Sequence, residues 1–519
     1  MRLVFQIAAF LAALALGRLP AAEVSAEEAR RAVGNWLRTD PALGCAVRGA
    51  AATARTCVTP GGARFHVVRC DGGGFVVTSA DTEQEPVVAF SEGDDLAESD
   101  ANPLWALLVR DFENRARPAS GGASLQSVGP AGTAASASAR KWARLLSTTT
   151  LAASSRLSSV SDVRVAPLVQ SKWGQEKVAN LSNCYNYYTP NGYPCGCVAT
   201  SGAQIMRYFE WPRTSVRQAS NSYCLVDGVQ TNLVMQGGVY DWSKMPLAPG
   251  LGIGTEQCQA IGRLTSDLGI ALGMSYTKDW AGVGGYMLAR ALTGNFGYGN
   301  ALCYQRQEDL PSETVQAAFI SNFDAGLPVE VSIGGPSGGH SIVGDGYGYS
   351  DGTLYYHFNM GWNGSYNAWY APPALDTGGY SFNALDGFVY NIYTNSAYAG
   401  RTICSGRVLD ARGAPVPNAT VTATGARGSA QTVRTNDRGI YAFFLTGGSR
   451  WATSYTFRAT FRDQSVAGTV AVASCVTTTT TADGMFYPAS GSVANKCGLD
   501  IVLTGLDLSK PLPTAVLVR

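Results

Sequence analysis

Two cysteines stand one residue apart, Cys195 and Cys197 in YPCGCVATSGAQIMRYFEWP, directly ahead of a segment whose apolar residues recur at helical spacing. A cysteine there is a disulfide half, a metal ligand or a nucleophile. Structural zinc sites space a cysteine pair by about two to four residues and follow it with a second Cys or His pair. Here a single residue separates the two, no second cluster follows, and the chain has three histidines, His66, His340 and His357, so no metal is expected. A nucleophile needs a lowered thiol pKa and a partner base. After Cys197, Val198, Gly202, Ile205, Met206 and Phe209 fall on one helical face, and Gly196 allows a tight turn before it. A thiol at that helix start feels the positive end of the helix dipole, which favours thiolate. In an exported chain the disulfide reading of both cysteines stays open.

The histidines narrow the choice of base. His66 lies in the first part of the chain, which an exposed linker separates from Cys197, so the base is sought at His340 or His357. His340 sits in PSGGHSIVGDGYG, where small neighbours leave the ring clear and let the backbone, at Gly339 for instance, approach a peptide. His357 lies within LYYHFNMGW, where bulky aromatics favour a satisfied, half-buried imidazole. Downstream, YYHFNMGWNG offers Asn359 and Trp362, and an amide oxygen accepting from the imidazole would hold the right tautomer. Upstream, Gln175 in VQSKWGQEKV can donate its amide to a developing oxyanion together with the Cys197 N–H. A lone Gln in a loop is ordinarily a solvated polar residue; the order Gln, Cys, His, Asn gives the set its weight.

These residues need an α+β frame. Residues 160–395 carry the helical segment after Cys197, a second helical stretch at YMLARALTGNF, and strand-like pieces from LPVEVSIGG onward. Residues 23–118 form a separate α+β unit: Ser25 and Glu28 make a capping box ahead of a short amphipathic helix, and ARFHVVRC and GGFVVTSAD read as strands flanking an Asp-Gly turn. The Gly/Ala/Ser tract that follows, 119–159, cannot bury a core and is expected to be an exposed linker and a processing site. Residues 399–519 are short alternating strands punctuated by Gly-Ala-Pro and Asn-Asp-Arg-Gly turns, the pattern of a small β-sandwich.

Residues 1–22 join a basic start, an apolar run and small residues at Pro20-Ala21-Ala22, the layout of a secretory signal. No later segment is apolar for long enough to span a bilayer, so an exported, extracellular, soluble and monomeric protein is expected. At 519 residues, about three domains fit. A net charge of +1 with 15% charged residues points away from nucleic acid and anionic surfaces. Twelve cysteines in an exported chain make disulfides expected, and nine of them follow residue 150.

VAPLVQSKWGQ, GCVATSGAQIMRYFEWP, GGHSIVGDGYG and HFNMGWNG together resemble the streptopain family of bacterial cysteine peptidases, which share the papain-like fold. The resemblance covers 160–395. It implies an endopeptidase secreted as a zymogen, acting on protein and peptide substrates without a cofactor, with an N-terminal propeptide that blocks the site; VVTSADTEQEPVVAFSEGD looks like part of that propeptide. Carried over by motif, Cys197 is the nucleophile, His340 the general base and acid, Gln175 the oxyanion donor, and Asn359 with Trp362 the support of the histidine. GVGGY, with Gly282 and Gly284, lies where relatives line the substrate cleft. Met360 departs from the pattern, standing where many relatives carry tryptophan. So does Cys195, for which a structural disulfide with Cys184 or Cys224 is the expectation. The last unit resembles the carboxypeptidase regulatory-like β-sandwich, a stabilising or adhesive appendage. The competing class is a papain-like binding or adhesion protein without the chemistry, and an acyl transferase using the same Cys/His pair is a third.

Overall fold

The structure, a computed structural model, describes residues 22–39, 47–93, 95–116, 136–147, 162–179, 182–305, 312–335, 338–373, 384–426, 428–447, 453–473, 479–480, 486–487 and 493–509. The expected signal segment, apart from Ala22, and much of the expected linker lie outside these residues. The chain forms two compact units. One holds the described residues up to Val163 with those in Gly348–Tyr355 and Tyr366–Tyr380, and the other holds the remainder.

In the first unit the capping box forms as the sequence suggests: Ser25 N–H donates to Glu28 Oε2 at 2.9 Å and Glu28 N–H to Ser25 Oγ at 3.3 Å. The helix it opens, Ala26–Thr39, buries Ala29, Ala32, Val33 and Trp36, a stripe at the three-to-four spacing of one helical face. Five antiparallel strands follow in the spatial order Ala51–Val58, Arg64–Cys70, Phe75–Ser79, Val87–Ser91 and Ala368–Tyr370. One expectation changes here. The tract read as linker contains a helix, Ala137–Leu146, capped by Ser136 and burying Trp142 and Leu145 in the same core as Trp36 and Phe90. Two large apolar side chains three residues apart are enough to seat one face of a short helix, and the small residues before them concealed it.

In the second unit the helix Cys197–Phe209 runs through the core, with every residue from Val198 to Met206 buried. Gly196 before it has φ 91° and ψ 150°, a conformation reserved to glycine, and a Cβ there would stand 2.9 Å from the Ala281 carbonyl oxygen. The 18-residue helix Thr255–Leu272 packs against it, and Gly202 leaves room for Leu268 and Leu288. The sheet orders its strands Thr353–Asn359, Gly338–Ser350, Val329–Gly335, Leu385–Tyr393 and Asn300–Gln305. Ile333 stands opposite His340, Ser332 opposite Ser341 and Glu330 opposite Val343. The unit thus mixes helices and a largely antiparallel sheet around one core.

Besides the two-stranded pair Thr479–Thr480 with Phe486–Tyr487, the strands after residue 400 make two sheets, ordered Ile440–Leu445, Thr402–Asp410, Ile501–Leu503 and Ala430–Arg434, Thr420–Gly425, Thr453–Phe461, Gln464–Val472, which share a core that includes Val408, Val421, Phe443 and Phe457. They are not a loose appendage. They belong to the second unit, where Asn495 Nδ2 donates to Asn391 Oδ1 and Ser321 Oγ at 2.8 Å each and Asn495 Oδ1 accepts from the Ile403 N–H at 3.1 Å. Asn391 and Asn495 are buried, so this network ties the strands to the Ser312–Asp324 helix where water cannot replace it.

Candidate functional site

Cys197 is the first residue of its helix and half-buried. Burial pushes its thiol up from the ordinary value; the Ser341 N–H pulls it down, the Glu330 carboxyl pushes it up again, and the Val198 and Cys197 N–H groups at the helix start pull it down. The lowered thiol expected from the helix dipole alone is therefore not found, because desolvation outweighs the N–H groups. The Ser341 N–H on Cys197 Sγ brings the residue after His340 against the nucleophile candidate, and a Ser201 Oγ to Ser341 Oγ contact at 2.6 Å joins the same two elements one helical turn further on.

The segment before Gln175 is fastened to this helix. Thr200 Oγ1 donates to the Gly174 carbonyl at 3.0 Å, and the Cys195 N–H to the Gln175 carbonyl at 2.9 Å. Gln204, fully buried, accepts from Ser171 Oγ at 3.1 Å and from the Trp173 N–H at 3.2 Å, and donates to Asn359 Oδ1 at 3.2 Å. Asn359 in turn donates to the Ser171 carbonyl at 2.7 Å and accepts from the Gly361 N–H at 3.1 Å. Gln175, Cys197 and Asn359 are thus drawn together through Gln204 and Thr200. Trp362 follows on the turn after the Thr353–Asn359 strand, half-buried, and Met360 beside it is buried. Gly339 is exposed and paired opposite Gly334. Gly282 closes the short strand Ala281–Gly282, whose Ala281 carbonyl lies against Gly196, and Gly284 is exposed on the loop that follows.

His357, two residues before Asn359 on the same strand, is paired with a carboxylate. Its Nδ1 lies 2.6 Å from Asp345 Oδ1, while Asp345 Oδ2 accepts from the Val169 N–H at 2.8 Å. That is the satisfied imidazole expected among aromatics. His66, in the first unit, has Nε2 2.8 Å from the Val24 carbonyl and is buried, which lowers its pKa.

The staple expected at Cys195 is not formed. All ten described cysteines are free thiols. Cys195 Sγ lies 3.3 Å from Thr200 Oγ1, and burial pushes its thiol up to about 12. Both candidate partners are engaged elsewhere, Cys184 in a hydrogen bond with Cys258 and Cys224 with the Ile270 carbonyl at 3.7 Å. Among the described residues no group of acidic, His or Cys side chains is placed to hold a metal, and no helix is long and apolar enough to cross a membrane.

Ser201, Gln204, Glu330 and Ser341 join these residues in the structure. Ser201 and Gln204 were discoverable, since they place polar side chains at i+4 and i+7 from Cys197 on a helix whose other positions are largely apolar.

A model of the Peptidase C10 family matches residues 173–370, and one described as Spi protease inhibitor matches residues 21–116. The thiol protease/hemagglutinin PrtT of Porphyromonas gingivalis is 33% identical over 196 residues, which are 37% of this chain and 22% of PrtT. Streptopain of Streptococcus pyogenes is 30% identical over 195 residues, 36% of this chain and 48% of streptopain. The matched part thus spans about half the length of streptopain and less of PrtT. Among solved structures, a fragment of Prevotella intermedia prointerpain A is 19% identical, covers 66% of this chain and 100% of the fragment, and has a TM-score of 0.46. Active interpain A of the same organism is 26% identical, covers 44% of this chain and 95% of that one, and has a TM-score of 0.37.

Proposed function

We propose that this chain is the exported zymogen of a papain-like cysteine endopeptidase that hydrolyses peptide bonds through a thioester at Cys197. The observation that carries the reading is the 2.6 Å contact between Ser201 Oγ and Ser341 Oγ, with the Ser341 N–H acting on the Cys197 thiol beside it, which sets the residue after His340 against the start of a buried helix. The family match over 173–370 and the cysteine-protease relatives support the same reaction class.

Because burial opposes a lone thiolate at Cys197, the anion needs a cation beside it, and His340 is assigned that part. Cys197 transfers its proton to His340, and the sulfur attacks the peptide carbonyl carbon. The resulting oxyanion accepts from the Gln175 side-chain amide and the Cys197 N–H. His340 returns the proton to the leaving amine as the C–N bond breaks, and a thioester remains. Water, deprotonated by His340, then attacks the thioester; the C–S bond breaks, releasing the acid and restoring the thiol. Asn359, its amide held by Ser171 and Gln204, and Trp362 support the imidazole. Gly339, Gly282 and Gly284 offer backbone to the substrate.

The inhibitor-type match over 21–116 supports a propeptide acting as an intramolecular inhibitor, removed at a site in 119–159. Residues 399–519 are assigned the carboxypeptidase regulatory-like β-sandwich and no catalytic part. The mature enzyme is read as an extracellular bacterial monomer.

The test is cleavage of denatured casein, with loss of the first unit followed in parallel. Wild type is expected to do both, and Cys197→Ala and His340→Ala neither, while His357→Ala retains activity in its folded fraction. A Cys197→Ala protein that still cleaves casein removes the proposal, and a folded His357→Ala protein without activity moves the base from His340. A folded wild type that cleaves nothing favours a binding protein instead.

A further inference from the structure

Glu330 is the second residue of the strand Val329–Gly335, which lies between two neighbouring strands, and has no solvent exposure. A carboxyl group at the centre of a sheet is costly to bury unless its hydrogen bonds are made. Glu330 Oε1 accepts from Ser341 Oγ at 2.7 Å and from Ser332 Oγ at 2.9 Å, and the Val389 N–H of the neighbouring strand also acts on the carboxyl. Ser341 Oγ also meets Ser201 Oγ at 2.6 Å, a contact in which either hydroxyl can be the donor, and Ser201 Oγ donates to the Val198 carbonyl of its own helix at 3.2 Å. A continuous chain of hydrogen bonds therefore joins the Cys197 helix through Ser201 and Ser341 to Glu330.

This chain meets three parts of the site. Ser201 lies one turn along the helix from Cys197, Ser341 follows His340 and presents its N–H to Cys197 Sγ, and the Gly284–Gly285 loop rests on its far end, where a Cβ at Gly285 would overlap Ser332 Oγ and Glu330 Oε1. An apolar residue at 330 would pack the strand at lower cost, so stability alone does not account for a carboxyl here.

Resting on the peptidase reading above, we propose that Glu330 is a positioning residue: by holding Ser341, and Ser201 through it, its carboxyl fixes the start of the His340 strand against the Cys197 helix. It touches neither substrate nor reacting atoms in this role. Removing the acceptor frees the two serines and lets nucleophile and base drift apart, which lowers turnover without altering how the substrate is held.

The full chain, processed by itself or by added protease, tests this with a fluorogenic peptide and active-site titration by a thiol-reactive epoxide, so that rates are per reactive site. Glu330→Gln keeps the acceptor oxygen and is expected within about threefold of wild-type kcat, while Glu330→Val lowers kcat by at least about tenfold with KM within about twofold. Ser201→Ala lowers kcat in the same direction, Ser201→Thr restores it, and the Ser201→Ala/Glu330→Val pair is no slower than Glu330→Val alone, since both act through one chain. Should Glu330→Val not fold, the Ser201 pair of variants decides. Wild-type kcat per titrated site in Glu330→Val or in Ser201→Ala, or losses that multiply in the double variant, would overturn the inference while wild type remained active. Absence of any Cys197-dependent cleavage by wild type would instead remove the peptidase reading and this inference with it.

Discussion

Glu330→Gln has a consequence for stability that is separable from turnover. Burial pushes the Glu330 carboxyl from 4.5 up to about 7, with the Ser341 and Ser332 hydroxyls opposing. Between those two pH values the folded chain keeps a proton that the unfolded chain has already released. Folded stability therefore falls as pH rises through that window; the cost is absent below about pH 4, complete above about pH 7, and amounts to about 3 kcal/mol for a shift of about 2.5 units at 1.36 kcal/mol each. Glutamine at 330 carries no such proton. On a Cys197→Ala background, which prevents self-digestion, urea-dependent pulse proteolysis at pH 4.5 and 7.5 gives the stability of each protein. The parent is expected to lose about 3 kcal/mol more than the Glu330→Gln variant across that range, the other titrating groups cancelling in the difference. Equal losses in the two proteins would show that the carboxyl is ionised and solvated in the fold, and would refute the reasoning about its burial.

Gly196→Ala places a Cβ 2.9 Å from the Ala281 carbonyl oxygen at a φ of 91°, and is expected to destabilise the second unit by about 3 kcal/mol and to shift Cys197; an unchanged urea midpoint would contradict it. Asn495→Ala leaves the Ile403 N–H and Asn391 Nδ2 without their buried acceptor and is expected to cost about 3 kcal/mol, seen as earlier proteolysis of the strands after residue 400. A change below about 0.5 kcal/mol would mean that those strands are held independently of the Ser312–Asp324 helix.

The sequence showed most where local pattern and burial agree. Val198, Gly202, Ile205 and Met206 at helical spacing marked the Cys197–Phe209 helix, Ser25 and Glu28 marked the start of Ala26–Thr39, and the aromatics around His357 marked a satisfied ring. The alternation in VEVSIGG was legible as a strand, but it suggests that Glu330 and Ser332 face water. Only the tertiary arrangement, with the Cys197 helix lying over that face, makes the carboxyl a buried one. Cys195 illustrates the same limit: which thiol neighbours which depends on how the Thr255–Leu272 helix brings Cys258 to Cys184, a contact between residues far apart in the chain. The helix Ala137–Leu146 was hidden by its small-residue context, and the attachment of the last strands by polar residues, Asn391 and Asn495, whose types alone suggest surface loops.

The reaction centre is tested most directly by labelling the processed protein with a peptidyl epoxide and reading the adduct by intact mass and peptide mapping. A single adduct at Cys197, lost in His340→Ala and retained in folded His357→Ala, is the expected result. No adduct in folded protein, or an adduct on other thiols with Cys197 unmodified, would contradict the assignment of Cys197 as the nucleophile.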